Sequence, residues 1–225
     1  MERIIFVTGT DTGVGKTLLT CSLLHFLRTQ RVNALAMKPF CTGGRRDVEL
    51  IQAVQDHALT TEQVNPFYFP EPVAPLVAAR RHHRSIRLPA ALEGIYQVAR
   101  LCECLIVEGA GGVLVPLGED FLVADVIARL PCEVVVVARN QLGTVNHTLL
   151  TVRVLKDLGK KRIKVLLMGQ KRDDLSAKTN LQLLRRLLAP VTILSMEFLG
   201  SNSLQIGALR RNCKKTKKVL AHVLD

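Results

Sequence analysis

Residues 7–17 read VTGTDTGVGKT. An apolar run, Ile4-Ile5-Phe6-Val7, enters this turn, and Gly15-Lys16-Thr17 closes it before a second apolar segment begins. A strand that passes through small residues into a helix is the setting of a phosphate loop. Small residues let successive backbone N–H groups turn inward around the β- and γ-phosphates, and the helix N-terminus adds partial positive charge. In that frame Gly13, Val14 and Gly15 present amides, Lys16 neutralises phosphate, and the Thr17 hydroxyl can ligate Mg²⁺. One detail departs from the strict pattern G-x-x-x-x-G-K-[ST], which needs glycine where Thr10 stands; Gly9 comes one residue early. The loop is nonetheless expected to bind a nucleoside triphosphate.

Working outward, apolar runs of strand length recur at Ile4–Val7, Ala34–Met37, Leu105–Val107, Val134–Ala138, Val165–Met168 and Val191–Leu194. They are continuous and rich in Val, Ile and Leu, as strands buried on both faces must be. Between them lie segments with helical spacing, at 16–30, 46–57, 89–101, 144–158 and 177–189. Such alternation implies βαβ units and a parallel sheet covered on both sides. Residues 1–225 are therefore expected to form a single α/β domain of the P-loop NTPase type. Its core would be a largely parallel twisted sheet of about seven strands, with helices on both faces. Right-handed crossovers bring the loops after Val7, Met37, Val107 and Ala138 to one sheet edge. One stretch, NPFYFPEPVAPLVAARRHH at 65–83, breaks the rhythm, and its prolines argue against regular helix there. A long excursion of that kind is expected to serve a site or an interface.

Composition narrows the class without deciding it. Lys and Arg number 31 against 19 Asp and Glu, a net charge of +12 that suits nucleotides, carboxylates or nucleic acid alike. The basic clusters at 80–84, 160–162 and 214–218 have no interleaved aromatics, so a single-strand nucleic-acid groove is not supported. The six cysteines form no CxxC pair, and reduced, buried thiols in a cytoplasmic protein are expected. Arg3 is followed by a strand-length apolar run, so no signal peptide is expected, and no apolar stretch reaches membrane-spanning length; neither a membrane nor a nucleic-acid partner is expected.

The other strand ends supply charge. After Met37 comes Lys38-Pro39-Phe40-Cys41-Thr42-Gly43-Gly44, which puts a second lysine at the same edge; taken alone, Lys38 also fits a snorkelling surface residue. After Val107 comes Glu108-Gly109-Ala110-Gly111-Gly112. A carboxylate beside a phosphate loop is a natural Mg²⁺ contact, although it could also serve as a helix cap. Asp47 fits a helix start and a third metal contact equally well.

With these segments in view, the chain resembles the ATP-dependent dethiobiotin synthetases. The resemblance is carried by residues 9–17, Lys38-Pro39, Asn65-Pro66-Phe67 with Glu71-Pro72 and Pro75, Glu108-Gly109-Ala110-Gly111-Gly112, and Leu142-Gly143-Thr144-Val145-Asn146-His147. It runs from about residue 3 to about residue 155. It implies a homodimeric ligase that closes a cyclic urea on 7,8-diaminopelargonate with CO₂ and MgATP, through a carbamate and a carbamic–phosphoric anhydride. Carried over by position, Lys16 holds the β- and γ-phosphates, and Thr17, Asp47 and Glu108 gather Mg²⁺. Lys38 steadies the carbamate and the charge on the transferring group. Thr12 and Thr42 bond the substrate, and the Gly111 and Gly112 amides line its diamine end. The substrate carboxylate would be received across the dimer interface by Leu142, Gly143 and Asn146, at a helix N-terminus; Asn146 could also merely cap that helix.

Three places depart from the family pattern. Gly13 stands where the family often has an acidic residue. Gln170, after the fifth strand run, replaces the usual Asn facing adenine and can form the same paired hydrogen bonds. Ser195-Met196-Glu197-Phe198 also diverges, which leaves the choice of base open. The alternative from the same fold is another nucleotide-driven enzyme or a partner-switching ATPase. Such ATPases usually carry a second lysine early in the loop, and residues 10–13 contain none.

Overall fold

The computed structural model describes residues 3–225. The chain opens with strand β1 (Arg3–Gly9) and helix α1 (Lys16–Thr29), then β2 (Ala34–Met37). A short β3 (Phe40–Thr42), helices α2 (Arg46–Val54) and α3 (Thr61–Val64), and a short β4 (Phe67–Phe69) follow. Next come α4 (Pro75–Arg81), α5 (Leu88–Ala99), β5 (Cys104–Gly112), α6 (Val123–Arg129) and β6 (Cys132–Arg139). The chain finishes with α7 (Thr144–Asp157), β7 (Ile163–Met168), α8 (Ala177–Leu188), β8 (Thr192–Met196), α9 (Ile206–Lys215) and α10 (Lys217–Leu224).

All six apolar runs become strands of one sheet, in the order β2-β5-β1-β6-β7-β8, with every pairing parallel. Among the described residues the main sheet has six strands, not about seven; β3 and β4 pair separately as a small parallel ribbon. Consecutive residues Ile4, Ile5, Phe6 and Val7 are all buried, as are Val134 to Ala138. Successive strand side chains face opposite sides, so both faces of the sheet are covered. The edge strand β2 is protected where Gln55 Oε1 accepts the Ala36 N–H at 2.9 Å. The buried apolar residues form one cluster that runs from Ile4 to Val223.

Strand order places the chemistry. The chain moves from β1 outward to β2, returns through β5 beside β1, and then continues on the opposite side through β6. That reversal opens a crevice at the carboxyl end of β1, the usual ligand position in an open α/β sheet.

Two expectations are corrected here. The proline-rich excursion contains helix after all: Pro75 sits in the first turn of α4, where its missing N–H costs nothing. Glu108 does not leave the sheet at Val107, because β5 continues to Gly112, whose backbone pairs with Gly9 across a register shift. The strand can run that far only because its last residues are small. A Cβ on Gly112 would meet the Gly9 carbonyl at 3.4 Å, a tight contact against backbone.

Candidate active site

The crevice holds a cavity of about 460 Å³. One wall is the phosphate loop, from Thr12 to Thr17; the opposite wall brings Lys38, Asp47, Glu108 and Gly111 from three other segments. Lys16, Lys38 and Glu108 are all buried, at 6%, 8% and 0% exposure. Charges so placed persist only when they are paired or face a charged ligand.

Their partners are specific. Glu108 Oε1 accepts from the Thr17 hydroxyl at 2.9 Å and from Lys38 Nζ at 2.8 Å. Lys38 also donates to Asp47 Oδ2. Lys16 Nζ donates to the Asp11 carbonyl at 2.8 Å, and Asp11 Oδ1 accepts the Thr12 N–H at 2.6 Å. Electrostatics separate the two lysines. Burial depresses the Lys16 ammonium to about 8, with the Glu108 carboxylate only partly offsetting it. Burial acts the same way on Lys38, but Glu108 and Asp47 outweigh it and hold that ammonium well above the ordinary lysine range. Lys38 is thus a permanent cation at neutral pH, suited to stabilising negative charge and unsuited to taking up a proton.

The excursion at 65–83 has a clear task here. Buried Asn65 donates through Nδ2 to the Lys38 carbonyl at 2.8 Å, and the Lys38 N–H donates to the Val64 carbonyl at 2.9 Å. These bonds fix the backbone that carries the second lysine.

The residues fit a magnesium ion. Glu108 Oε2 is buried without a hydrogen-bond partner, while Oε1 bonds the Thr17 hydroxyl and the Asp47 carboxylate lines the same cavity. These are hard oxygen donors. Among the described residues no group of three His, Cys, Asp or Glu could hold a metal. Mg²⁺ does not need one, since it binds through one or two carboxylates together with substrate phosphates and water.

Gln170 lines the cavity on the far side of the loop, with Nε2 turned onto the Met168 carbonyl at 2.8 Å. Thr42 and Gly112 lie outside the cavity lining, as do Leu142, Gly143 and Asn146, which sit on an exposed shoulder before and within α7. That shoulder is braced: the Leu142 N–H donates to Asp174 Oδ2 at 2.7 Å, and Asn140 Nδ2 donates to the Ala177 carbonyl at 3.0 Å. Sequence reading missed Arg139, Met168, Leu199, Ser203 and Leu204, all of which border the cavity. Arg139 is the last residue of β6, one position past the apolar run, and that position was the available signal. Leu199, Ser203 and Leu204 belong to a loop with no motif of its own.

The parallel sheet, its switch point and the glycine-rich loop between β1 and α1 define the class: a P-loop α/β protein. The AAA domain family (AAA_26) matches residues 3–200. An ATP-dependent dethiobiotin synthetase BioD from Bacillus licheniformis is 42% identical over 187 residues, covering 80% of each chain. The corresponding protein of Endomicrobium trichonymphae is 38% identical over 207 residues, covering 90% of this chain and 94% of its own. The chain belongs to the ATP-dependent dethiobiotin synthetase family, and the likeness continues well beyond residue 155, where the motifs fade. Among solved structures, a putative plasmid partition protein of Borrelia burgdorferi bound to AMPPNP has a TM-score of 0.62 at 10% identity, covering 100% of this chain and 98% of its own. The MinD cell division protein of Aquifex aeolicus has a TM-score of 0.58 at 13% identity, covering 93% and 86%. At that identity these two share the fold alone, so they lend no support to a partner-switching role.

Proposed function

We propose that this cavity carries out the ATP-dependent closure of a cyclic urea on 7,8-diaminopelargonate, giving dethiobiotin, ADP and phosphate. One substrate amine adds to CO₂ and loses a proton to become a carbamate. A carbamate oxygen attacks the γ-phosphorus, and the bond to the ADP oxygen breaks. The second amine then attacks the carbonyl carbon of the mixed anhydride and expels phosphate. No protein nucleophile is needed, so positioning and charge neutralisation dominate. The observation that carries this reading is the convergence of two buried lysines, a phosphate loop and an unpartnered carboxylate oxygen on one cavity.

Lys16 and the amides of Gly13, Val14 and Gly15 hold the β- and γ-phosphates. Lys38, fixed as a cation, faces the carbamate and the transferring phosphoryl group. Thr17, Asp47 and Glu108 would hold Mg²⁺, which when bound neutralises the phosphate oxygens. Thr12 bonds the substrate and the Gly111 amide meets its diamine end within the cavity, Thr42 and Gly112 would meet parts of the substrate that extend beyond the cavity lining, and Gln170 meets the base.

The substrate carboxylate belongs to a second subunit in this reading. Leu142 lies just before α7, Asn146 and Leu150 lie one helical turn apart within it, and the two leucines are 80% and 60% exposed. Two exposed leucines near an exposed Asn are consistent with a homodimer contact that delivers Gly143 and Asn146 to the partner's substrate. Residues 1–225 then act as one catalytic domain. Among the described residues no helix is long and apolar enough to cross a membrane.

The test is ADP release that depends jointly on the diamine and bicarbonate. ATP hydrolysis indifferent to the diamine would favour the partner-switching alternative.

A further inference from the structure

Arg139 reaches from the end of β6 across to the phosphate loop. Its Nη2 donates to the Gly13 carbonyl at 2.9 Å and its Nε to the same oxygen at 3.3 Å. Gly13 holds a φ of +70°, and a Cβ built on it would stand 2.9 Å from Arg139 Nη2. The space that a side chain at position 13 would need is therefore filled by a guanidinium from another strand. Lys16 makes the matching contact two residues earlier, on the Asp11 carbonyl. Two cavity cations thus hold alternate carbonyls of the loop, while Lys38 is gripped by carboxylates.

We infer that Arg139 is a positioning residue for the triphosphate, acting through the Gly13–Val14 peptide. A trans peptide is planar, with its oxygen and N–H on opposite sides, so fixing the Gly13 carbonyl also fixes the direction of the Val14 N–H. Gly13 and Gly15, at φ +70° and +108°, would otherwise sample many conformations. Ordering them would then fall on nucleotide binding and weaken it. The brace comes ready-made from a buried strand. A guanidinium carries five N–H donors, so those not aimed at Gly13 remain available to phosphate oxygens in the cavity that Arg139 borders. The inference rests on the cavity being a triphosphate site.

The experiment measures MgATP binding by calorimetry, with steady-state kinetics, in wild type, Arg139→Ala, Arg139→Lys, Gly13→Ala and the Arg139→Ala/Gly13→Ala double variant. Wild type that binds no MgATP would defeat the site reading itself, before Arg139 is in question. Given wild-type binding, Arg139→Ala should raise both Kd and the KM for ATP about tenfold, or ~1.4 kcal/mol. Its kcat should stay within about threefold and its melting temperature should hold, a split that a merely structural role would not produce. Arg139→Lys should recover part of the loss, because one ammonium can replace one of the two donors. Gly13→Ala should cost less in the Arg139→Ala background, where the collision has gone. The inference is overturned by unchanged Kd in Arg139→Ala, by a fall in kcat at constant KM, or by strictly additive costs of the two substitutions.

Discussion

Lys38 donates to Oε1 of Glu108 at 2.8 Å, although the two residues stand 70 positions apart in the chain. The pair puts a permanent cation in contact with a fully buried carboxylate, where the chain leaves β2 alongside the adjacent strand β5. Its second consequence is thermodynamic. A buried ion pair adds little net stability, but removing one partner strands the other at a cost of about 3–5 kcal/mol.

Lys38→Leu is accordingly expected to lower kcat by more than ~100-fold while changing MgATP affinity far less. Because the substitution strands Glu108, its melting temperature should also fall, and adding Glu108→Gln should recover part of that fall. Kinetics, nucleotide titration and thermal melts separate the effects. Nucleotide affinity that collapses in step with kcat would assign Lys38 to ground-state binding.

Lys16→Gln should abolish ATP turnover and leave the fold intact by circular dichroism. In the native protein the charge on Lys16 is itself pH-dependent. Burial lowers its folded value to about 8, below the ordinary 10.5, so the charged form costs native stability below about 8. That cost is relieved as the pH rises from 8 towards 10.5. A phosphate beside the ammonium favours the charged form, so nucleotide binding in this window must take up a proton. Calorimetry at pH 9 in buffers of different ionisation enthalpy should show that uptake, and in Lys16→Gln the uptake should be missing.

A homodimer with shared sites predicts complementation. Mixing Lys16→Gln subunits with Asn146→Ala subunits should restore activity above that of either alone, because one site of the heterodimer keeps both intact residues. Sedimentation should show a dimer, and Leu142→Glu should shift it towards monomer. Activity that never recovers in a verified heterodimer would count against a substrate carboxylate held across subunits.

The six cysteines are all buried, and no disulfide joins any of the described residues. Burial pushes the Cys104 and Cys132 thiols up to about 11 and raises those of Cys21, Cys41 and Cys213 as well. A raised value keeps the thiol neutral at pH 8, and the neutral thiol is a poor nucleophile. A thiol-specific chromogenic reagent should therefore react slowly with the native protein and fully once denaturant is added. Rapid native modification would mean that the segments carrying these cysteines open readily.

Much of the molecule was legible in the chain itself, and the reason is local. Continuous Val, Ile and Leu runs are stable only as strands covered on both sides, so six of them imposed the parallel sheet. Gly15-Lys16-Thr17 between a strand and a helix marked the loop expected to meet phosphate. Local rules also misled: the prolines at 65–83 seemed to exclude helix, yet Pro75 begins α4, because a proline breaks a helix only beyond its first turn.

What the local pattern could not hold was convergence. Lys38, Asp47 and Glu108 each admitted a bland explanation in the sequence, as a snorkelling lysine, a helix start and a cap. Only the strand order β2-β5-β1 brings their side chains within hydrogen-bond reach, where desolvation makes an unpaired charge untenable. Arg139 carried no motif at all, since its role depends on the empty space over Gly13, and space is a property of the folded chain. The chain's own pattern determined which segments are strands and marked the glycine-rich loop between the first strand and helix; tertiary packing decided which distant charges share that loop, because electrostatic strength in a protein depends on distance and burial that no one-dimensional pattern contains.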